Sequence, residues 1–322
     1  MSYIIAEVGN NHEGDISWAK RAITQAKLCG ADAVKFQAIN PSSLVNAIVR
    51  KDRVEALEKL CLPLSAFEEL FAFAKQKEID FGVSFFDIET CKILPKFDFA
   101  KIASSDCDNV PLLKEVSTKY DKILISTGTL SADGALSLKS FVNASSADIT
   151  ILHCVSKYPT PILDASLGFI TTLREHFEKV GYSDHTDSLE VNLMALALGA
   201  NVFEKHFTLD KNLAGIKDHA LSSDPSEFKL FCQSIRRFEC SIGTHDLDDR
   251  PEFKDTSYLE IKQSFYLKSA VLAGDIISID NVVYQRPRIS NSFLHFQSGE
   301  TVRARCDINA DEPLNNDDVF SG

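Results

Sequence analysis

Short apolar runs rich in β-branched and aromatic residues recur along the chain and alternate with longer amphipathic stretches. The runs are "YIIAEVG" (3–9), "AVKFQA" (33–38), "DFGVSF" (80–85), "FAKIAS" (99–104), "KILISTG" (122–128), "ITILHCV" (149–155), "VGYSDHT" (180–186) and "VFEKHFT" (202–208). Their length and composition predict β-strands. Between them, "SWAKRAITQAKLCG" sets Trp18, Ile23, Ala26 and Cys29 at helical spacing and ends on Gly30, a stop signal. "PSEFKLFCQSIRRFEC" (225–240) predicts the eighth helix. Strands that alternate with helices pair in parallel, and eight such units predict a closed (β/α)8 TIM barrel.

The pattern breaks at 241–263, which is polar and weakly periodic. The expected division is therefore a barrel over 1–245, a linker over 246–264 and a small β-rich domain over 265–322. Within that domain, "AGDIISIDNV" (273–282) and "ADEPLNNDDV" (310–319) share Ala first, an apolar fifth residue, Asp eighth and Val tenth. Two copies of one short unit are the mark of an internal repeat.

Catalytic groups of such barrels gather at the C-terminal ends of the strands. Here those ends are polar: Glu7, Lys35 with Gln37, Ser84, Lys101 with Ser104, Ser126 with Thr127, Ser156 just past the sixth strand, Ser183 with His185, and Glu204 with His206. Residues two apart share a face of a strand, so each of these pairs points one way. In "FEKHFT" (203–208), Glu204 and His206 are expected to face the barrel mouth, with Phe203 and Phe207 packing outward. Lys205 is expected to face the helix layer with its ammonium reaching solvent.

Charge and cysteine usage narrow the function. With 322 residues and a formal net charge of −12, the chain offers no basic face for nucleic acid or an anionic membrane, although a few converging lysines still suit an anionic small molecule. The eight cysteines lack metal-site spacing, the apolar runs are strand-sized, and no signal peptide precedes the first strand. Reduced thiols and a cytoplasmic location without a membrane span are the expectation.

Candidate chemistry then falls on the strand ends. His185 and His206 end adjacent strands, where two imidazoles can share a divalent ion such as Zn, Mn or Fe. Taken alone, each is more simply a hydrogen-bonded core histidine; their matched placement favours the metal. His153 lies inside the sixth strand without a partner and reads as structural. Lys35 and Lys101, near Ser84, Ser104, Ser156 and Ser183, suggest an anion site. The alternatives are a Schiff-base lysine and a salt bridge to Glu7 or Glu204. Glu7 is a candidate base, metal ligand or lysine partner. Asp218 and His219, in the loop after strand eight, are candidates to approach the metal.

These residues carry a family resemblance. "IIAEVGNNHEGDISWAKRAITQAKLCGADAVKFQA", "KIASSD", "ISTGTL", "LHCVSKYPTP", "GYSDHT" and "FEKHFTLDKNLAG…DHALSSDP" resemble, in order and spacing, the signature segments of the sialic acid (nonulosonic acid) synthases. "KQSFYLKSAVLAGDIISIDNVVYQRP" resembles that family's antifreeze-like (SAF) domain. The resemblance implies condensation of phosphoenolpyruvate with an N-acylated hexosamine, such as N-acetylmannosamine or a modified relative, to a nine-carbon 2-keto sugar acid and phosphate. It implies that His185 and His206 hold a divalent metal, Mn2+ before Mg2+ or Co2+. Lys35, Ser84, Lys101, Ser104, Ser156 and Ser183 fall where the family holds phosphoenolpyruvate, and Gln37, Asp106 and Tyr158 where it holds the sugar. Glu7 and Asp218 match acidic residues beside the metal. Arg286 matches an arginine inserted into the partner subunit's site, implying a homodimer with a swapped C-terminal domain that makes precursors of surface glycans.

Departures from the family pattern are a serine at 84 in place of the usual threonine, an extra residue before Asp218, "RISNSF" where a glycine-rich stretch follows Arg-Pro, and a shortened segment 46–64. The alternatives to the synthase are a non-catalytic sugar- or phosphate-binding relative and a sibling keto-deoxy sugar acid synthase acting on a shorter aldose.

Overall fold

The alternating pattern closes into a barrel. In the computed structural model, which describes residues 1–213, 216, 218–243, 256–296 and 299–321, eight parallel strands pair in sequence order, with β1 against β8. They are β1 (Tyr3–Gly9), β2 (Ala33–Ala38), β3 (Asp80–Phe85), β4 (Phe99–Ile102), β5 (Lys122–Ser126), β6 (Asp148–Cys154), β7 (Val180–Asp184) and β8 (Val202–His206). Five strands stop before their predicted ends, β6 by a single residue at Cys154. The chain turns after Ile102, Ser126, Cys154, Asp184 and His206, so Ser104, Thr127, Val155, His185 and Phe207 belong to the loops above the barrel.

Among the described residues, eleven α-helices surround the strands: α1 (Ile16–Cys29), α2 (Pro41–Leu44), α3 (Lys51–Glu58), α4 (Leu64–Gln76), α5 (Ile88–Ile93), α6 (Val110–Lys119), α7 (Ala132–Ala144), α8 (Gly168–His176), α9 (Leu189–Ala197), α10 (Asp218–Leu221) and α11 (Pro225–Ile242). The first of them shows how local signals set the boundaries. The Asp15 side chain caps α1 by accepting from the Ser17 and Trp18 amides, and Gly30 ends it in the left-handed region at φ 98°. Between the caps, Trp18, Ala22, Ile23, Ala26 and Cys29 form the buried stripe.

Strand alternation separates two apolar layers. Outward residues such as Phe36, Phe81, Phe203 and Phe207 pack under the helices, with Phe203 edge-on to Phe231 and Phe207 to Phe228. Inward residues Ile5, Ala33, Phe99, Leu124, Leu152 and Val202 plug the interior. A Cβ built on Gly82 would lie 2.0 Å from Phe99 Cζ, so only glycine leaves room for this ring. Phe99→Ala is expected to empty the plug and cost about 3–5 kcal/mol in urea unfolding. A loss below about 1 kcal/mol would show that the barrel interior collapses around the gap.

The barrel floor is tied by carboxylates that precede or open strands. Asp32 accepts from the Ile4 amide at 2.7 Å, Asp98 from the Phe81 amide at 2.7 Å, and Asp80 from the Tyr3 hydroxyl at 2.7 Å. A further expectation overturned here concerns Lys205. Its side chain leaves the outer face of β8 as expected, but its ammonium stays buried, 2.5 Å from Asp184 Oδ2 and 2.9 Å from the Thr186 carbonyl. An acid on the neighbouring strand supplies what solvent was expected to supply.

The chain divides into two compact units, Met1–Ile242 and Gly243–Gly322. Of the expected linker, residues 246–255 lie outside the described residues. The second unit contains β9 (Ser264–Leu267), β10 (Ile276–Ser278), β11 (Val282–Gln285), β12 (Thr301–Ala304) and β13 (Val319–Ser321), arranged as one three-stranded and one two-stranded sheet. The sequence repeat is a structural one. In each copy a reciprocal cap closes a 3-10 turn, Ser278 with Asn281 and Asn315 with Asp318. The shared apolar positions, Ile277/Leu314 and Val282/Val319, meet in the core of this unit.

Candidate active site

One polar cavity opens at the C-terminal ends of the strands. Its walls include Glu7, Lys35, Gln37, Ser84, Lys101, Ser104, Ser126, Cys154, Tyr158, Ser183, His185, Glu204 and His206. Register brings them together: Glu7 pairs across strands with both Lys35 and His206, Ser84 with Lys101, and Ser183 with Glu204.

Four buried charges form its base. Lys35 Nζ lies 2.5 Å from Glu7 Oε2, 2.6 Å from Ser84 Oγ and 3.7 Å from Glu204 Oε2. Lys101 Nζ lies 2.7 and 2.9 Å from the two oxygens of Glu204, which also accepts from Ser183 Oγ at 2.8 Å. Gln37 Nε2 donates to Glu7 Oε1 at 2.8 Å. The salt bridges to Glu7 and Glu204 are thus in place, and each lysine has its own carboxylate.

The two acids are held apart in acidity. Burial pushes the Glu7 carboxyl up, and the attraction of Lys35 does not offset it. Burial also pushes Glu204 up, but Lys101 and Lys35 outweigh it and hold this carboxyl well below the usual range. For Lys35, burial acts downward and the charges of Glu204 and Glu7 reverse it, leaving the ammonium more basic than usual. The two acids are thus pushed in opposite directions, the kind of split that lets two carboxyls of one site take different roles.

The histidines stand above this base with ring centroids 5.4 Å apart. His185 Nδ1 is 2.9 Å from the Val155 carbonyl, which places a proton on Nδ1 and, in the neutral ring, the lone pair on Nε2. Burial pushes this imidazole down, but Cys154 and the Val155 carbonyl outweigh it and raise it. Burial, then the proximity of His185, push the His206 imidazole well below its ordinary range, so it is neutral; its Nδ1 is buried without a partner. Among the described residues no cluster of three or more His, Cys, Asp or Glu side chains gathers as a complete cation cage. The neutral His206 imidazole with its orphaned Nδ1, and His185 beside it, nevertheless fit a divalent ion that displaces the His185 Nε2 proton and takes its other ligands from water or substrate.

The remaining candidates fall at varied distances from this centre. The Tyr158 ring lies 4.2 Å from His185 and forms part of the wall. Ser156 is exposed beside Gly128, and half-buried Asp106 accepts from Ser105 Oγ; neither lines the cavity itself. Burial raises the Asp218 carboxyl, which senses His185 electrostatically; residues 214, 215 and 217 of its loop lie outside the described residues. His219 is not available to the centre. Its ring bonds Thr208 Oγ1 at 2.7 Å and Glu13 Oε1 at 3.1 Å. His153, read as structural, bonds the Ala165 carbonyl at 2.8 Å. Arg286 is exposed on the second unit.

Two wall residues, Ser126 and Cys154, have no role assigned from the sequence, and Glu204 enters there only as a possible salt-bridge partner. Glu204 and Ser126 were visible as polar strand ends, and Ser126 Oγ is buried with no partner. Cys154 follows from parity, since Leu152 on the same strand fills the barrel interior. Past Gln37 the cavity neighbours a cleft of about 620 Å³ walled by Ile39, Leu44, Val45, Asn46, Val49, Arg50, Arg53 and Leu57. Segment 46–64, for which no contacts were assigned, builds much of it through α3.

Comparison with known proteins gives this geometry a family. The NeuB family profile matches residues 22–246. An uncharacterized protein of Methanocaldococcus jannaschii is 39% identical, covering 89% of this chain and 85% of that protein. The N,N'-diacetyllegionaminic acid synthase of Campylobacter jejuni is 34% identical, covering 91% of this chain and 93% of that enzyme. The crystal structure of N-acetylneuraminic acid (sialic acid) synthetase from Leptospira borgpetersenii superposes with a TM-score of 0.74 at 33% identity, covering 80% of this chain and 90% of that one. With a profile match across most of the barrel and relatives similar over nearly the whole chain, this protein belongs to the NeuB family of nonulosonic acid synthases.

Proposed function

We propose that the chain condenses phosphoenolpyruvate with the open-chain aldehyde of an N-acylated hexosamine, forming a nine-carbon 2-keto sugar acid and releasing phosphate. The observation that carries this reading is the cavity in which two buried ammonium groups, a row of serine hydroxyls and the two imidazoles of His185 and His206 converge. Lys35 and Lys101 hold the carboxylate and phosphate, with Ser84, Ser104, Ser126 and Ser183 donating hydrogen bonds and Ser156 joining at the rim. An arriving polyanion raises the Glu7 carboxyl further, so Glu7 takes up a proton and frees Lys35 for the ligand.

The divalent ion assigned to His185 and His206, Mn2+ before Mg2+ or Co2+, supplies Lewis-acid polarisation of the aldehyde when bound. Asp218 lies on the same side as a further acidic group. As C3 of phosphoenolpyruvate bonds to the aldehyde carbon, the aldehyde oxygen gains a proton, which Glu7 is placed to give. Water adds at C2 and loses a proton, and cleavage of the C2–O bond expels phosphate. Gln37, Asp106 and Tyr158 hold the sugar, whose far end outruns the cavity and passes into the cleft walled by α3.

Phosphate release from phosphoenolpyruvate, measured with Mn2+ and a panel of N-acylated hexosamines, tests the proposal together with product mass. The expected result is release that requires a sugar and stops on chelation. No release with any sugar or divalent ion would leave a binding protein; a product with fewer carbons would identify the sibling reaction.

A further inference from the structure

Two charged residues next to the histidines point away from the cavity. Asp184 and Lys205 are cross-strand partners on β7 and β8, and each directly precedes a histidine, His185 and His206. Asp184 Oδ1 accepts from the Thr186 amide at 2.7 Å. Its Oδ2 accepts from Asn192 Nδ2 of α9 at 2.6 Å and from Lys205 Nζ at 2.5 Å. Lys205 Nζ also donates to the Thr186 carbonyl at 2.9 Å. These bonds close a ring around the main chain of His185, because its predecessor and its successor are both tied to Lys205. The backbone then continues directly from Lys205 into His206.

A buried ion pair is a poor way to gain stability, since an apolar pair of similar volume packs as well or better. This one lines no part of the cavity, so it makes no substrate contact there. What it does supply is register between two strand ends, the best-attested use of a buried charge pair. We infer that Asp184, Lys205 and Asn192 form a clamp that sets the spacing and orientation of His185 and His206, and with them the affinity for the metal. They are positioning residues. The inference rests on the proposed reading of the two histidines as metal ligands.

The test is Mn2+ binding, followed through the loss of the free aqueous ion's electron paramagnetic resonance signal. Asp184→Asn/Lys205→Met removes both charges together and avoids stranding one of them. The wild-type protein is expected to bind Mn2+. The double variant is expected to keep a melting temperature close to wild type, to bind Mn2+ about 10–100-fold more weakly, and to recover near-normal kcat, with unchanged KM for phosphoenolpyruvate, once Mn2+ is saturating. If the double variant does not fold, Asn192→Leu removes one arm of the clamp and no charge, and several-fold weaker Mn2+ binding is expected from it. Affinity within two-fold of wild type in the folded variant overturns the clamp. A wild-type protein that binds no Mn2+ removes the premise instead, an outcome distinct from failure of the clamp.

Discussion

Lys101→Met alone is expected to cost about 3–5 kcal/mol of stability, and adding Glu204→Leu to it is expected to return that stability while leaving almost no turnover. The single change strands the Glu204 carboxylate, whose other lysine, Lys35, stands 3.7 Å away and is already engaged with Glu7. The double change replaces an ion pair buried on both sides with apolar groups, which elsewhere is neutral or stabilising by about 1–4 kcal/mol. Activity moves the other way. Lys101 is one of two cations proposed to hold phosphoenolpyruvate, and losing it removes charge stabilisation worth about 10²–10³-fold in rate. Urea unfolding and phosphate release on the three proteins decide the matter. A double variant that is no more stable than Lys101→Met, or that turns over like wild type, would show that the pair stabilises the barrel and has no part in the chemistry.

That contrast explains which parts of the site the sequence displays. The strand ends are legible because alternation has a period of two and a barrel has one mouth; a polar residue at the end of an apolar run has few places to point. Lys35, Lys101, His185 and His206 come together on this rule alone. Which partner each group takes is not legible, because it depends on the shear between strands. The pairing of Lys101 with Glu204, from β4 to β8 across the barrel, appears only when the barrel closes.

Lys205 illustrates the same limit from outside. Its direction followed from alternation, but the carboxylate that keeps it buried sits on another strand. The cleft walled by Val45, Val49 and Leu57 was beyond sequence reasoning for a different reason. Short helices such as α2 and α3 carry little periodic signal, and their placement is decided by packing against the barrel rim. The repeat in the second unit went further than its few matching residues suggested, because the matched positions are the ones that build its core and caps.

Mixing an Arg286→Ala subunit with a His206→Ala subunit is expected to restore activity that neither has alone. Among the described residues no arginine lines the cavity itself, Arg50 and Arg53 belonging to the adjoining cleft, and Arg286 is exposed on the second unit. An N-acylated open-chain sugar offers a carbonyl and several hydroxyls, and the guanidinium fork can bond two of these acceptors at once, which an ammonium cannot copy. In the swapped homodimer that the family resemblance implies, the C-terminal domain of one subunit would deliver Arg286 to the barrel of the other. Random exchange then makes half the dimers mixed, and in each of those one site has both an intact arginine and an intact histidine while the other has neither. The mixture should therefore recover about a quarter of wild-type phosphate release. Arg286→Lys in place of Arg286→Ala should recover no more on its own, since the fork and not the charge is what the sugar requires. The decisive control is mass-resolved proof that subunits have exchanged. If exchange is complete and the mixture remains as inactive as its parents, Arg286 serves its own subunit's barrel or none, and the swapped arrangement is wrong.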